Sequence, residues 1–268
     1  MSDAELLAGY IATWKQACAD FIALGRTLTP EELRQPTDLD GWNVFDNVAH
    51  TAHLEHVLAT GVEETIEVEA APHIKNLTGA YTEQGVAARR GRPINEVLDE
   101  LEQSVAMRSA DLDANPPTDG SAPSPMTPAG VPWNNETLLG NRPLDVWMHE
   151  QDIRRAIGRP GGFDSPAVAH TVRRLAGGLP LVVGKRVAPP ARSSVLLDIE
   201  GTLRGAVVGD DGRALPAIPA DPTARIELST EAFILLAGGR RKPEQVEFTI
   251  SGDHDLANAV LNHLAVTP

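Results

Sequence analysis

Apolar positions in the first part of the chain recur with a helical period. Leu6, Leu7, Tyr10, Ile11, Trp14, Ala17, Cys18, Phe21, Ile22 and Leu24 share one stripe, which predicts an amphipathic helix over residues 3–27, closed by Thr29-Pro30. A polar link at 31–40 leads to a second helix that begins between Trp42 and Asp46 and runs to Glu69 on Val44, Val48, Ala52, Leu54, Val57 and Leu58. Residues 71–93 contain Gly79, Gly85, Gly91 and Pro93 and read as an irregular crossing with a short helical piece over 81–90. A third helix spans 93–113, with Ile94, Val97, Leu98, Leu101, Val105 and Met107 on its buried side. The Pro-, Ser-, Gly- and Thr-rich stretch 113–132 is a long loop, a kind of segment that tends to be functional or mobile. It ends at Val131-Pro-Trp-Asn-Asn135, where Trp133 either lines the mouth of a site or anchors the loop. A fourth helix over 142–157 stops at the breaker Gly158-Arg-Pro-Gly-Gly162.

Past that breaker the period changes. A helix over 166–183 leads to alternating, strand-like runs at 193–199, 204–208, 224–229 and 245–251, punctuated by Gly201 and Gly209-Asp-Asp-Gly212. Helical pieces at 230–236 and 254–264 intervene and close the pattern. Helices first and mixed elements second predict an α+β chain of two domains, 1–160 and 161–268. There is no internal repeat and no heptad run.

Composition narrows the function. With 268 residues, 42% of them apolar, the chain has material for sizeable cores. A net charge of −14 argues against a nucleic-acid surface, which needs clustered Lys and Arg facing phosphates. No apolar run reaches the roughly 20 residues that span a bilayer, and Met1-Ser-Asp-Ala-Glu lacks the basic start of a signal peptide. The expectation is a cytoplasmic monomer, away from membranes, that handles small molecules. Its one cysteine, Cys18, sits on the apolar stripe of the first helix and is expected to be a buried hydrophobe rather than a nucleophile.

The chemistry concentrates on the fourth helix. Asp145, His149 and Asp152 are spaced i, i+4, i+7 and fall on one face of that helix. A carboxylate and an imidazole one turn apart can supply two ligands to a divalent metal, leaving a third to come from elsewhere. The second helix carries His50, His53 and His56, with Asp46 one turn before the first. Spacing by three turns each side chain about 60° from the last, so at most two of these histidines line one site and His56 faces away from a site at His50. Asp152 and Asp46 either fix a histidine ring through its second nitrogen or only cap and pair on their own helices. Glu150 and Arg154 are expected to pair, i to i+4, on the exposed face.

Two segments carry a family likeness. Gly41-Trp-Asn-Val-Phe-Asp-Asn-Val-Ala-His50, then Asp145-Val-Trp-Met-His149 with Glu150-Gln-Asp-Ile-Arg154, resemble the DinB-like, mycothiol-dependent maleylpyruvate isomerase family of actinobacteria. Leu236-Ala-Gly-Gly-Arg240 and Phe248-Thr-Ile-Ser-Gly, with the closing helix, are similar to that family's smaller, sterol-carrier-protein-like C-terminal domain. The resemblance implies an N-terminal four-helix bundle holding a divalent metal, usually zinc, at His50, Asp145 and His149. It also implies that water or the thiolate of mycothiol takes the fourth position, and that Arg240 serves isomerase activity, with Arg241 the second choice. Relatives commonly carry Glu where this chain has Asp145, one methylene shorter.

An open cation site lowers the pKa of a bound thiol and so yields thiolate at neutral pH. Reversible addition of a thiolate to a conjugated double bond permits cis–trans isomerisation, whereas displacement gives a thiol conjugate. The expected partners are therefore a low-molecular-weight thiol and an electrophilic small molecule. Two rival classes stand beside this one: a hydrolase whose metal activates water, and a non-catalytic module whose second domain holds an apolar ligand.

Overall fold

Capping chemistry sets where the first helices begin. Ser2 and Glu5 satisfy each other's backbone and open α1, Asp3–Gly25. Asn43 and Asp46 do the same at α2, Val44–Thr60, each side chain accepting from the other's backbone N–H at 3.0 Å. The computed structural model describes residues 1–267, and its chain divides into two compact units, Met1–His170 and Thr171–Pro268. The class is α+β.

In the first unit α1 and α2 each pack against both α4, Ile94–Ala114, and α5, Asn135–Ala156, which closes a four-helix bundle. The shorter α3, Leu77–Ala87, lies on α2. Trp14, Phe21, Leu98, Leu101, Trp147 and Ile153 fill the interior. Burying side chains of this size contributes about 1.5–3 kcal/mol each relative to exposure.

A charged cluster crosses that apolar interior and takes one side chain from every bundle helix. Glu55 on α2 is fully buried and accepts from Trp14 Nε1 on α1 at 3.0 Å, Arg108 Nη1 on α4 at 2.9 Å and Arg142 Nε on α5 at 3.0 Å. The Arg108 guanidinium also stacks over the Trp14 ring, 4.6 Å from its centroid. Burial pushes the Glu55 carboxyl up, but Arg142 and Arg108 outweigh it and hold it below the usual carboxylate range. A buried charge is tolerable only when paired, and this one is paired three ways.

Two helix boundaries differ most from the expectation. α2 ends at Thr60 rather than 69, because Gly61 adopts the left-handed conformation (φ 73°) that terminates a helix. The acidic stretch that follows forms no helix or strand before Asn76. α5 begins at 135 rather than 142: Asn134 caps it by accepting from Thr137 N at 2.9 Å, and Pro143 is carried inside the helix.

The second unit pairs five strands in the order β3-β2-β1-β4-β5. They are β1 Ser194–Ile199, β2 Thr202–Val208, β3 Ala214–Pro216, β4 Ala224–Leu228 and β5 Phe248–Gly252. β1 and β2 form a hairpin whose two turn residues, Glu200 (φ 46°) and Gly201 (φ 87°), both lie in the left-handed region that such a tight turn requires. β1 runs parallel to β4, with Val195 beside Ala224, while the other pairs are antiparallel. The short edge strand β3 was not expected, and at three residues it is too brief for an alternating pattern to declare it.

The helix expected over 166–183 is divided. α6, Pro166–Ala176, stops before Gly177-Gly178, and α7, Leu179–Leu181, continues into a π-helical turn at Val182–Val187. α8, Thr230–Ala237, and α9, His254–Asn262, complete the unit, and α9 packs against β4 and β5. Among the described residues no helix is long and apolar enough to cross a membrane.

Candidate metal centre

The one-turn spacing on α5 brings Asp145 and His149 together, and α2 faces them with His50. His50 Nε2 lies 3.6 Å from Asp145 Oδ2, and His149 Nε2 lies 3.7 Å from Asp145 Oδ1. One donor atom from each of the three residues falls within 4.8 Å of the others. His50 and His149 are 4% and 6% exposed, whereas the Asp145 side chain keeps 20% of its surface. The cluster is therefore nearly dry, with its opening on the carboxylate side.

The polar groups around the three are arranged to aim them. Asn47, on α2, donates from Nδ2 to Asn43 O at 2.9 Å; since a carbonyl can only accept, the orientation of the amide is settled and its Oδ1 faces His149. His149 Nδ1 lies 2.8 Å from that oxygen and 3.4 Å from Asp152 Oδ2, so Nδ1 carries a proton and Nε2 is the atom turned to Asp145. Asp152 is braced in turn by Arg155 Nη2 at 2.5 Å. Arg142 Nη1 donates to Asp145 Oδ2 at 2.8 Å and ties the site to the buried Glu55 cluster.

These neighbours set the electrostatics. Burial would lift the Asp145 carboxyl, but Arg142 and the two histidines hold it well below its ordinary value. Burial lowers His149, and Asp145 with Asp152 more than reverses that, so its pKa is raised. Burial dominates at His50 and brings it down to about 4. Two imidazoles and a carboxylate turned towards one point form a concentration of electron-pair donors that invites a cation.

The donor set fits a divalent ion. Tetrahedral ligands about 2.0–2.1 Å from a zinc ion stand about 3.3 Å apart, and each histidine nitrogen lies 3.6 or 3.7 Å from an oxygen of Asp145. Nitrogen and oxygen donors from three residues would leave one position of a four-coordinate ion open. Asp145, despite its shorter side chain, reaches the cluster.

The other expected residues fall variously. His53 is fully buried, its ring 5.2 Å from that of Tyr81 and fitted against Gly85 of α3, where any side chain would collide with it. His56 turns to Glu100 on α4, with Nδ1 3.8 Å from Oε1. Asp46 holds no histidine: it caps α2 and accepts from Arg90 Nε at 2.9 Å. Glu150 does pair with Arg154, at 2.7 Å, but not on an exposed face; Glu150 is fully buried and its carboxyl is pushed up by that burial. At Trp133 the backbone carbonyl accepts from Ser124 N at 3.0 Å, a contact of the main chain and not of the indole. Cys18 is buried and burial pushes its thiol well up, as expected of a core residue. In the second unit Arg240 donates from Nη1 to Gly238 O at 2.7 Å, just past α8.

Sequence reasoning missed Trp42, Asn47, Glu55 and Arg142 as parts of the site. For Asn47 and Arg142 a signal existed, since each stands three residues before a ligand candidate, His50 and Asp145, on the same helix. For Glu55, a carboxylate on an apolar helix face, the signal was the charge itself, because such groups are buried only when paired.

The family model described as "Mycothiol maleylpyruvate isomerase N-terminal domain" matches residues 14–154. Two solved structures are similar over 94% of this chain and 95% of theirs, each at 18% identity: the crystal structure of a mycothiol-dependent maleylpyruvate isomerase, TM-score 0.58, and that of a histidine-to-alanine mutant of such an enzyme, TM-score 0.53. At that identity the likeness speaks for the fold. No curated protein matches the chain.

Proposed function

Since the chain belongs to the mycothiol maleylpyruvate isomerase N-terminal domain family, we propose that it is a thiol-dependent metalloenzyme that joins mycothiol to an electrophilic small molecule, as an isomerase or an S-transferase. The observation that carries this is the convergence of His50 Nε2, His149 Nε2 and the Asp145 carboxylate on one nearly dry point. His50, Asp145 and His149 would hold a divalent ion, zinc by the donor set, whose positive charge would favour the thiolate form of a bound thiol at neutral pH.

Each surrounding residue has a share in this. Asn47 and Asp152 hold the His149 ring through Nδ1, and Arg142 fixes the Asp145 oxygen that faces His50. Burial of both imidazoles excludes water that would compete with a thiol. Cys18 is buried and its thiol is pushed well up, so the chain offers no thiolate of its own and the nucleophile comes from outside. Arg240 takes the anionic end of the substrate by charge-assisted hydrogen bonds, a role supported by the motif around it rather than by its contacts.

Titration of mycothiol into zinc-loaded protein, followed by calorimetry and by the fate of maleylpyruvate and other electrophiles, tests the proposal. The expected result is thiol binding that disappears when the metal is removed, with turnover of at least one electrophile. Binding without maleylpyruvate turnover would keep the class and reject that substrate. No thiol binding to the loaded protein would favour water as the nucleophile, and with it the hydrolase class.

A further inference from the structure

The indole of Trp42 is in ring contact with both histidines of the cluster, its centroid 5.0 Å from His50 and 6.1 Å from His149. Those imidazoles are buried, while Trp42 itself is partly exposed. It therefore stands between them and solvent.

Its position is not left to packing alone. Trp42 Nε1 donates to Glu83 Oε2 at 2.8 Å, and the same oxygen lies 3.2 Å from His73 Nε2. Arg90 Nη1 donates to the other oxygen at 2.6 Å, and its Nε reaches Asp46 Oδ1, the capping carboxylate of α2. Glu83 is 5% exposed. Burial pushes its carboxyl up, but the hydrogen bonds of Trp42 and His73 and the charge of Arg90 hold it low, so it stays ionised. Gly41 (φ 79°), next to the indole, lies where any side chain would strike the His73 ring, so His73 closes down on the turn that carries Trp42.

We propose that Trp42 is the cover of the metal cluster and that Glu83 is the positioning residue that holds it shut. The inference rests on the metal site proposed above. The indole limits entry to the cluster from the side of the two imidazoles, and the side of Asp145 is left as the way in. Glu83 acts only through Trp42, by fixing the indole in register with the two imidazoles.

Metal release to an excess of chromogenic chelator, measured by stopped flow on zinc-loaded protein, reads the cover directly. Wild type is compared with Trp42→Ala, Trp42→Phe, Glu83→Ala and Glu83→Gln. All five are expected to load equimolar zinc, since none removes a ligand. Trp42→Ala is expected to release metal about tenfold faster or more, equivalent to about 1.4 kcal/mol from the barrier. Glu83→Ala should follow it, Trp42→Phe should fall between, and Glu83→Gln, whose carbonyl still accepts from Nε1, should return towards wild type.

A purely structural role would lower the melting temperature without changing the release rate, and equal rates in wild type and Trp42→Ala at equal zinc content would overturn the proposal. If Trp42→Ala does not fold, unchanged release in both Trp42→Phe and Glu83→Ala overturns it. A wild type that binds no zinc would instead sink the metal site, and the cover with it.

Discussion

Asn47 Oδ1 and His149 Nδ1 lie 2.8 Å apart, and that contact decides which nitrogen of the imidazole faces the cluster. The amide cannot turn over without losing its bond to Asn43 O, so the histidine must present a proton to it and Nε2 to Asp145. Asn47→Ala removes this orientation and leaves Asp152 as the remaining partner at 3.4 Å. Zinc affinity, measured by competition with a chelator, should fall about 10–100-fold, whereas Asn47→Asp, which still accepts, should stay nearer wild type.

His50→Ala, Asp145→Ala and His149→Ala each delete one of the converging donors. Elemental analysis after equilibrium dialysis should show zinc lost from all three, with a larger fall in affinity than the roughly 10–100-fold expected for Asn47→Ala. Equal zinc in wild type and His149→Ala would refute the ligand assignment.

His56 turns away from the cluster towards Glu100. His56→Ala should therefore leave zinc content and thiol-dependent turnover nearly unchanged, and a large loss of either would show that the wrong histidine has been chosen on α2.

Glu55 pairs with both Arg108 and Arg142 in a part of the bundle nearly closed to water, and Asp145 gives Arg142 a second carboxylate. Glu55→Gln keeps the shape, takes the paired charge from Arg108 while leaving Arg142 with Asp145, and should cost about 3–5 kcal/mol in urea unfolding. Because the folded-state pKa of Glu55 is depressed, its contribution is present above the unfolded value near pH 4.3 and fades as pH falls through the lower folded value. Wild type should lose this part of its stability below about pH 4.3, and Glu55→Gln, with no carboxyl to protonate there, should not.

Arg240→Ala should leave the zinc content as in wild type, because Arg240 is not among the converging donors. Loss of a charge-assisted hydrogen bond of about 1.5–3 kcal/mol corresponds to a fall of roughly tenfold to a hundredfold in kcat/KM for an anionic electrophile. No change would remove Arg240 from the reaction.

Local rules carried much of this protein in the sequence. Helical stripes located α1, α4 and most of α2, alternating runs located four of the strands, and a separation of four residues placed Asp145 and His149 on one helix face, because period and pitch are properties of the backbone alone. The resemblance to a family, carried by the segments ending at His50 and His149, pointed to the third donor. Period alone left His50, His53 and His56 open, since it gives their angles around α2 but not which direction faces α5. Packing chose His50, put the His53 ring on Gly85 of α3, and sent His56 to Glu100. It also gathered Trp14, Glu55, Arg108 and Arg142 from four helices, and set the Trp42 ring beside both histidines with its Nε1 on Glu83. Those partners lie tens of residues apart, and no spacing rule links them. Burial makes an unpaired charge expensive, so the tertiary structure alone decides which partners meet.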